Sequence, residues 1–248
     1  MENKTVYFGG AGYCAGIYVG VVKGLREIFP DEKPIIHADS AGAIVALAYA
    51  IDVPDEMMKN ILWDLMVRQQ KYGCRYGIRT RILDDIRNTI RSVIKHGDFS
   101  IIQNNTKFSV GITSFFNTYT VYTNWQTTEE LENIILKSAH IPLLQNKIYP
   151  SMELDGAYAS RSTAYDLTVG QCEGFHICIP TNWVEKITIA TSQETKKMYD
   201  LGYCKTKSFF SQKDRDRSKK RIPESGFFLL TFVWFLKFLS FLMYIIFD

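Results

Sequence analysis

Residues 34–49 read PIIHADSAGAIVALAY. The apolar run at 35–38 reads as the end of a buried strand, and the small, apolar run at 41–49 reads as a buried helix. One polar pair, Asp39-Ser40, stands between them. A serine on a tight strand-to-helix turn is the layout of a nucleophile elbow, G-x-S-x-G. The turn pushes the hydroxyl out of the sheet, small neighbours let another backbone come close, and the helix N-terminus favours negative charge. Here the pattern is Ala38-Asp39-Ser40-Ala41-Gly42, with alanine in place of the first glycine. The same residues also make a plain helix N-cap. By themselves they leave both readings open.

Upstream, residues 5–8 form a short apolar run of β type. Gly9-Gly10-Ala11-Gly12 follows, and then a helical stretch at 17–29 with Ile17, Val21, Leu25 and Ile28 at helical spacing, stopped by Pro30. Strand, glycine-rich turn and helix make a place where backbone N–H groups converge on an anion. Phosphate binding and an oxyanion hole both use that geometry. The spacing Gly10-x-Gly12-x-x-x-Gly16 misses the dinucleotide fingerprint by one residue, and no Lys-Ser/Thr follows, which excludes a P-loop.

Downstream, amphipathic helices are expected over 56–68 and 82–94, joined by a basic, aromatic loop, YGCRYGIRTR, at 72–81. Strands are expected at 108–113, 117–122, 175–179 and 186–191, and an apolar segment at 148–154 leads to the turn at Asp155. Thr127-Thr128-Glu129-Glu130 carries capping signals for a helix ending near Ser138. A last helix is expected at 192–208.

Alternating strands and helices over this length suit one large α/β domain. The net charge of +3 does not point to nucleic acid. Five scattered cysteines, Cys14, Cys74, Cys172, Cys178 and Cys204, contain no C-x-x-C pair, so neither a zinc site nor a disulfide framework is indicated. Four histidines, His37, His96, His140 and His176, form no cluster with carboxylates in the sequence, and no metal or other cofactor is expected. Residues 1–10 lack the apolar core of a signal peptide.

Residues 227–247, FFLLTFVWFLKFLSFLMYIIF, are long enough to span a bilayer. Lys213, Arg215, Arg217, Lys219, Lys220 and Arg221 precede them. The positive-inside rule then predicts a single-pass tail anchor with the globular part facing the cytosol. Lys237, at mid-span, costs about 2.5 to 3.5 kcal/mol on insertion scales. The expected organisation is a domain over 1–210, a basic linker over 211–225 and a membrane anchor over 226–248.

Five features in order resemble the patatin-like phospholipase family, and most closely its adiponutrin-like branch. Phe8-Gly9-Gly10-Ala11-Gly12 with Gly16-Ile17-Tyr18 and Gly20 is similar to that family's glycine-rich loop and helix, with one extra residue between the glycine groups. Ala38-Asp39-Ser40-Ala41-Gly42-Ala43 is similar to its elbow. Ser138-Ala139-His140-Ile141-Pro142 is similar to the segment upstream of its acid. Asp155-Gly156-Ala157 stands for Asp-Gly-Gly, and Met198-Tyr199-Asp200-Leu201-Gly202-Tyr203 for its closing helix. Together they span about residues 5 to 210.

The resemblance implies an α/β three-layer sandwich with a central, mostly parallel sheet, to which the sequence adds the C-terminal transmembrane helix. It implies a serine lipid acyl hydrolase working through a Ser-Asp dyad. Ser40 would attack an acyl ester, Asp155 would accept and return the proton, and backbone amides around Gly10, Ala11 and Gly12 would hold the oxyanion. The expected partners are a phospholipid or acylglycerol substrate and a lipid membrane, and calcium independence is implied as well. Ala38 and Ala157 depart from the pattern; where the backbone needs φ > 0 each added methyl costs roughly 1 kcal/mol. Three alternatives stay open: an acyltransferase on the same dyad, a catalytically inactive lipid-binding or scaffold protein, and a Ser-acid-His triad completed by His176. The early position of Ser40 argues against the triad.

Overall fold

The structure, a computed structural model, describes residues 4–71, 82–114, 118–139, 153–154, 164–170, 175–178, 191–211 and 220–221. Its centre is strand β1 (Thr5–Phe8), whose alternation sorts the molecule into two sides. Val6 and Phe8 point into the main apolar core, and Tyr7 points to the opposite face. Parallel to β1 on one side runs β2 (Ile35–Ala38), and parallel to β2 runs β3 (Phe108–Ser114). On the other side of β1 lie β7 (Leu167–Gly170) and then β8 (Ile177–Cys178), both parallel. Strands β4 (Tyr119–Tyr122) and β5 (Glu153–Leu154) pair antiparallel with β3. The sheet is therefore mixed, in the order β4-β3-β2-β1-β7-β8 with β5 beside β3.

Helices fill the connections. Helix α1 (Ala15–Ile28) joins β1 to β2, and α2 (Ser40–Ala50) leaves β2. Apolar almost all round, α2 is buried almost throughout, as a helix without a polar face must be. Burial pushes the hydroxyl of Tyr49 on α2 up to about 12, with Arg26 pulling the other way. Helices α3 (Asp55–Lys71) and α4 (Ile82–His96) pack on each other. Helix α5 (Thr128–Ser138) starts as its capping signal predicts, with the Thr127 hydroxyl accepting from the Glu130 N–H. Helix α6 (Ser192–Ser211) lies along α1.

That last contact depends on glycines. A Cβ on Gly20 would overlap the Tyr199 carbonyl oxygen, and a Cβ on Gly202 would overlap that of Ile17. With Gly24 against Thr206, small residues at four-residue spacing let the two helix backbones touch.

Two expectations are corrected. The transmembrane helix does not stand: among the described residues no helix is long and apolar enough to cross a membrane. The anchor assigned to 226–248, and with it the placement of the domain on a cytosolic membrane face, falls outside the described residues and has no support from them. The longest helix among the described residues, α6, carries charged residues such as Lys196, Lys197, Asp200 and Lys205 and packs Met198, Tyr199, Phe209 and Phe210 against the core. Lys237 is the feature of the apolar run that counts against spanning. Within the stretch expected as a basic linker, Lys220–Arg221 (β9) pairs antiparallel with Ala164–Tyr165 (β6).

Candidate active site

The loop after β1 and the turn after β2 meet at the carboxyl ends of their strands, the usual place for a site in such sheets. The Gly9 N–H donates to the Val169 carbonyl at 3.0 Å, tying the start of the loop to β7. Gly12 has φ 53°, a conformation that favours glycine, and opens the short 3-10 turn into α1. Ala11 between them is fully buried. The Tyr18 hydroxyl donates to the Gly10 carbonyl at 3.4 Å.

Ala38 is an ordinary strand residue, paired with Phe8 and Val110. The methyl at the first elbow position therefore brings no backbone strain. Asp39 is extended (φ −136°, ψ 154°), and its N–H donates to the Phe8 carbonyl at 3.0 Å. The chain then reverses at Ser40, with φ 54°. Asp52, Asn104 and Asn124 also have positive φ among the described residues, but Asp and Asn visit that region readily. Ser40 is the exception. A non-glycine residue held there costs about 1 to 3 kcal/mol and persists only where its surroundings over-determine it.

Those surroundings are visible. The Ser40 N–H, one of the helix-end donors of α2, donates to Ser138 Oγ at 2.9 Å. The Ser138 hydroxyl, at the end of α5, in turn donates to the Gly111 carbonyl at 2.7 Å. Asp39 occupies the N-cap position but makes no capping bond. Its carboxylate instead accepts from the Tyr7 hydroxyl at 2.5 Å and the Tyr119 hydroxyl at 2.8 Å. Hydrogen bonds to a charged group contribute about 1.5 to 3 kcal/mol each, so the pair outweighs the strain at Ser40. A plain N-cap is thereby ruled out.

The glycine loop touches the elbow backbone to backbone. A Cβ on Gly42, in the first turn of α2, would overlap the Gly9 carbonyl oxygen and press on the Tyr18 ring. The structure thus brings the loop carrying Gly10, Ala11 and Gly12 against the helix that begins at Ser40, itself 96% buried.

Asp155 and His140 lie outside the described residues. The strand that leads to Asp155 is described. Val110 pairs with Tyr122 on one edge and Ala38 on the other, and Thr113 pairs with Tyr119 and Leu154 in the same way. Strand β5 therefore continues, in the opposite direction, the edge of β3 that β2 vacates at the elbow. His176 is taken up elsewhere: its Nδ1 accepts from the Thr168 N–H at 3.0 Å, on β7. Among the described residues no group of three or more His, Cys, Asp or Glu side chains gathers as a metal-ligand set.

Of three residues that hold the elbow, Ser138 was named in the sequence without this role, and Tyr7 and Tyr119 were not singled out. Ser138 heads the 138–142 segment, so a signal was present for it; Tyr7 and Tyr119 carry none beyond strand parity.

No protein-family model matches the chain, and no curated protein does. Among solved structures the fold is similar to the crystal structure of VipD from Legionella pneumophila, with a TM-score of 0.43 and 11% identity, over 85% of this chain and 67% of that one. Similarity at that level assigns no family.

Proposed function

We propose that the chain is a serine acyl hydrolase that cleaves acyl esters of lipids, phospholipids or acylglycerols, through Ser40 and Asp155. The observation that carries the reading is the conformation of Ser40, a non-glycine residue at φ 54° between a strand and a buried helix, with a glycine loop packed against the first turn of that helix. A hydroxyl on such a turn stands clear of the sheet and can meet a carbonyl carbon. The lipid class follows from the ordered resemblance of five motifs to the patatin-like phospholipase family.

In this reading Ser40 Oγ attacks the ester carbonyl and its proton passes to the Asp155 carboxylate. The tetrahedral oxyanion is held by backbone N–H groups around Gly10, Ala11 and Gly12, each such donor contributing about 3 kcal/mol to the transition state. Collapse expels the lipid alcohol, which takes the proton from Asp155, and leaves an acyl-enzyme. Water, with Asp155 as base, then releases the fatty acid. Strand β5 supports the choice of acid, because it ends at Leu154, the residue before Asp155 in the sequence, and pairs with the edge of β3 that β2 vacates.

The test is fatty acid release from vesicles of phospholipid and emulsions of triacylglycerol by wild type, Ser40→Ala and Asp155→Asn. Release by the wild type is expected to fall about 10⁴-fold or more in both variants. Unchanged release by Ser40→Ala would sink the reading. Formation of a new ester in place of free acid would make the chain an acyltransferase.

A further inference from the structure

We propose that Asp39 is a positioning residue for Ser40, locked by the hydroxyls of Tyr7 and Tyr119. The proposal rests on reading Ser40 as the nucleophile. Its ground is a buried carboxylate that the dyad does not use.

Asp39 is fully buried and directly precedes the reactive serine. Residues two apart on a strand share a face, so Asp39 follows His37 onto the Tyr7 side of the sheet, away from the core that encloses α2. From there it acts on Ser40 through the backbone. Its hydrogen bonds are directional. Tyr119 Oη has one proton and stands between Asp39 Oδ1 at 2.8 Å and His37 Nε2 at 2.5 Å. A carboxylate only accepts, so that proton goes to Asp39, and His37 must donate from Nε2. His37 Nδ1 is hydrogen-bonded to Ser109 Oγ at 2.7 Å, and the Ser109 hydroxyl also lies 3.3 Å from the Ile36 carbonyl.

The result is a hydrogen-bonded chain, buried but for the half-buried Tyr119, that runs from Ser109 through His37 and Tyr119 to Asp39 and is joined there by Tyr7. It contacts four strands, because Tyr7 lies on β1, His37 on β2, Ser109 on β3 and Tyr119 on β4. Stacking of the His37 ring on Tyr7 and Tyr165 closes it from the side. A carboxylate tied to four strands fixes the ψ of its own residue, and that angle sets where the next residue turns. The chain therefore transmits the rigidity of the sheet to the one strained residue of the elbow.

The test uses the full chain. Wild type, Asp39→Asn and Tyr119→Phe are treated with a fluorophosphonate probe, and the inactivation rate constant is separated from the binding constant. Amide hydrogen exchange is followed over residues 36–44. Asp39→Asn keeps the size of the side chain but cannot accept both hydroxyls on carboxylate oxygens. It is expected to lose about 10- to 100-fold in rate constant with binding within about twofold, and to exchange about tenfold faster at the elbow. Tyr119→Phe is expected to shift both readouts in the same direction by about 3- to 10-fold, and the double variant to lose less than the product of the two.

Wild-type rate constant and wild-type exchange in Asp39→Asn would overturn the proposal, even with a lowered melting temperature. If Asp39→Asn does not fold, Tyr119→Phe decides in the same way. If the probe labels wild type and Ser40→Ala equally, the reading of Ser40 as nucleophile fails. The exchange arm still tells whether Asp39 holds the turn.

Discussion

The elbow at Ser40 and the seam between α1 and α6 are both places where two backbones touch with no side chain between them. At the seam, glycines at four-residue spacing make the approach possible, Gly20 against the Tyr199 carbonyl and Gly202 against that of Ile17. Every residue there sits in a relaxed helix. At the elbow, Gly42 allows the same close approach to Gly9, but the neighbouring Ser40 is held at φ 54° by bonds from Ser138 and through Asp39. One contact lowers the energy of the fold. The other raises it locally and is held by bonds from elsewhere. Strain kept in that way marks a working part of a molecule more reliably than close packing does.

Gly42→Ala tests the difference most severely. Its Cβ would meet a carbonyl oxygen on a loop, so the loop must move. Lipid hydrolysis is expected to fall more than about 100-fold, the cost of misplacing reactive groups by about an ångström. Thermal melting should show a loss of about 1 to 3 kcal/mol. Full activity in this variant would mean that the loop and the elbow do not act together.

Gly20→Ala makes the matching change at the seam. In a relaxed helix the replacement by itself stabilises by about 1 kcal/mol. Here the new methyl strikes the Tyr199 carbonyl, and overpacking of this kind costs about 1 to 3 kcal/mol or more. The net expectation is a lower melting temperature with activity per folded molecule unchanged. A loss of activity without a loss of stability would join the seam to the site and erase the contrast.

Much of this was legible in the sequence because it is local. The runs at 35–38 and 41–49, the stop at Pro30, the Thr127 cap and the 3.6-residue period of α4 all depend on near neighbours, and each element lies within a few residues of where it was expected. The glycine loop and Ser40 were legible for the same reason, since a turn shows its residue types. Strand β7 was missed. It is four residues long, LTVG, buried on both faces and recruited by β1 from more than 150 residues away, so it has no period to read. The role of Asp39 stayed open between cap and elbow because the tyrosines that claim it lie 32 and 80 residues away. The apolar run at 227–247 shows the opposite failure, where a local pattern suggested a transmembrane helix that no described helix supports.

The smallest effect bears most directly on the elbow. Ser40→Ala and Ser40→Gly both remove the hydroxyl, and both should abolish hydrolysis. They differ in one methyl group at a residue with φ 54°. Alanine keeps the left-handed strain, whereas glycine adopts that region freely and relieves about 1 kcal/mol of it. The greater freedom of glycine in the unfolded chain works against the gain, at about 0.5 to 1 kcal/mol, so with the strain present the two effects roughly cancel. Ser40→Gly is therefore expected to be about as stable as Ser40→Ala by urea unfolding, where a residue in an unstrained helix would show glycine lower by about 1 kcal/mol. Glycine clearly below alanine would show that Ser40 begins an ordinary helix and that no strain is stored at the turn. The elbow and the seam would then differ only in position, and the bonds from Ser138 and Asp39 would have nothing to oppose.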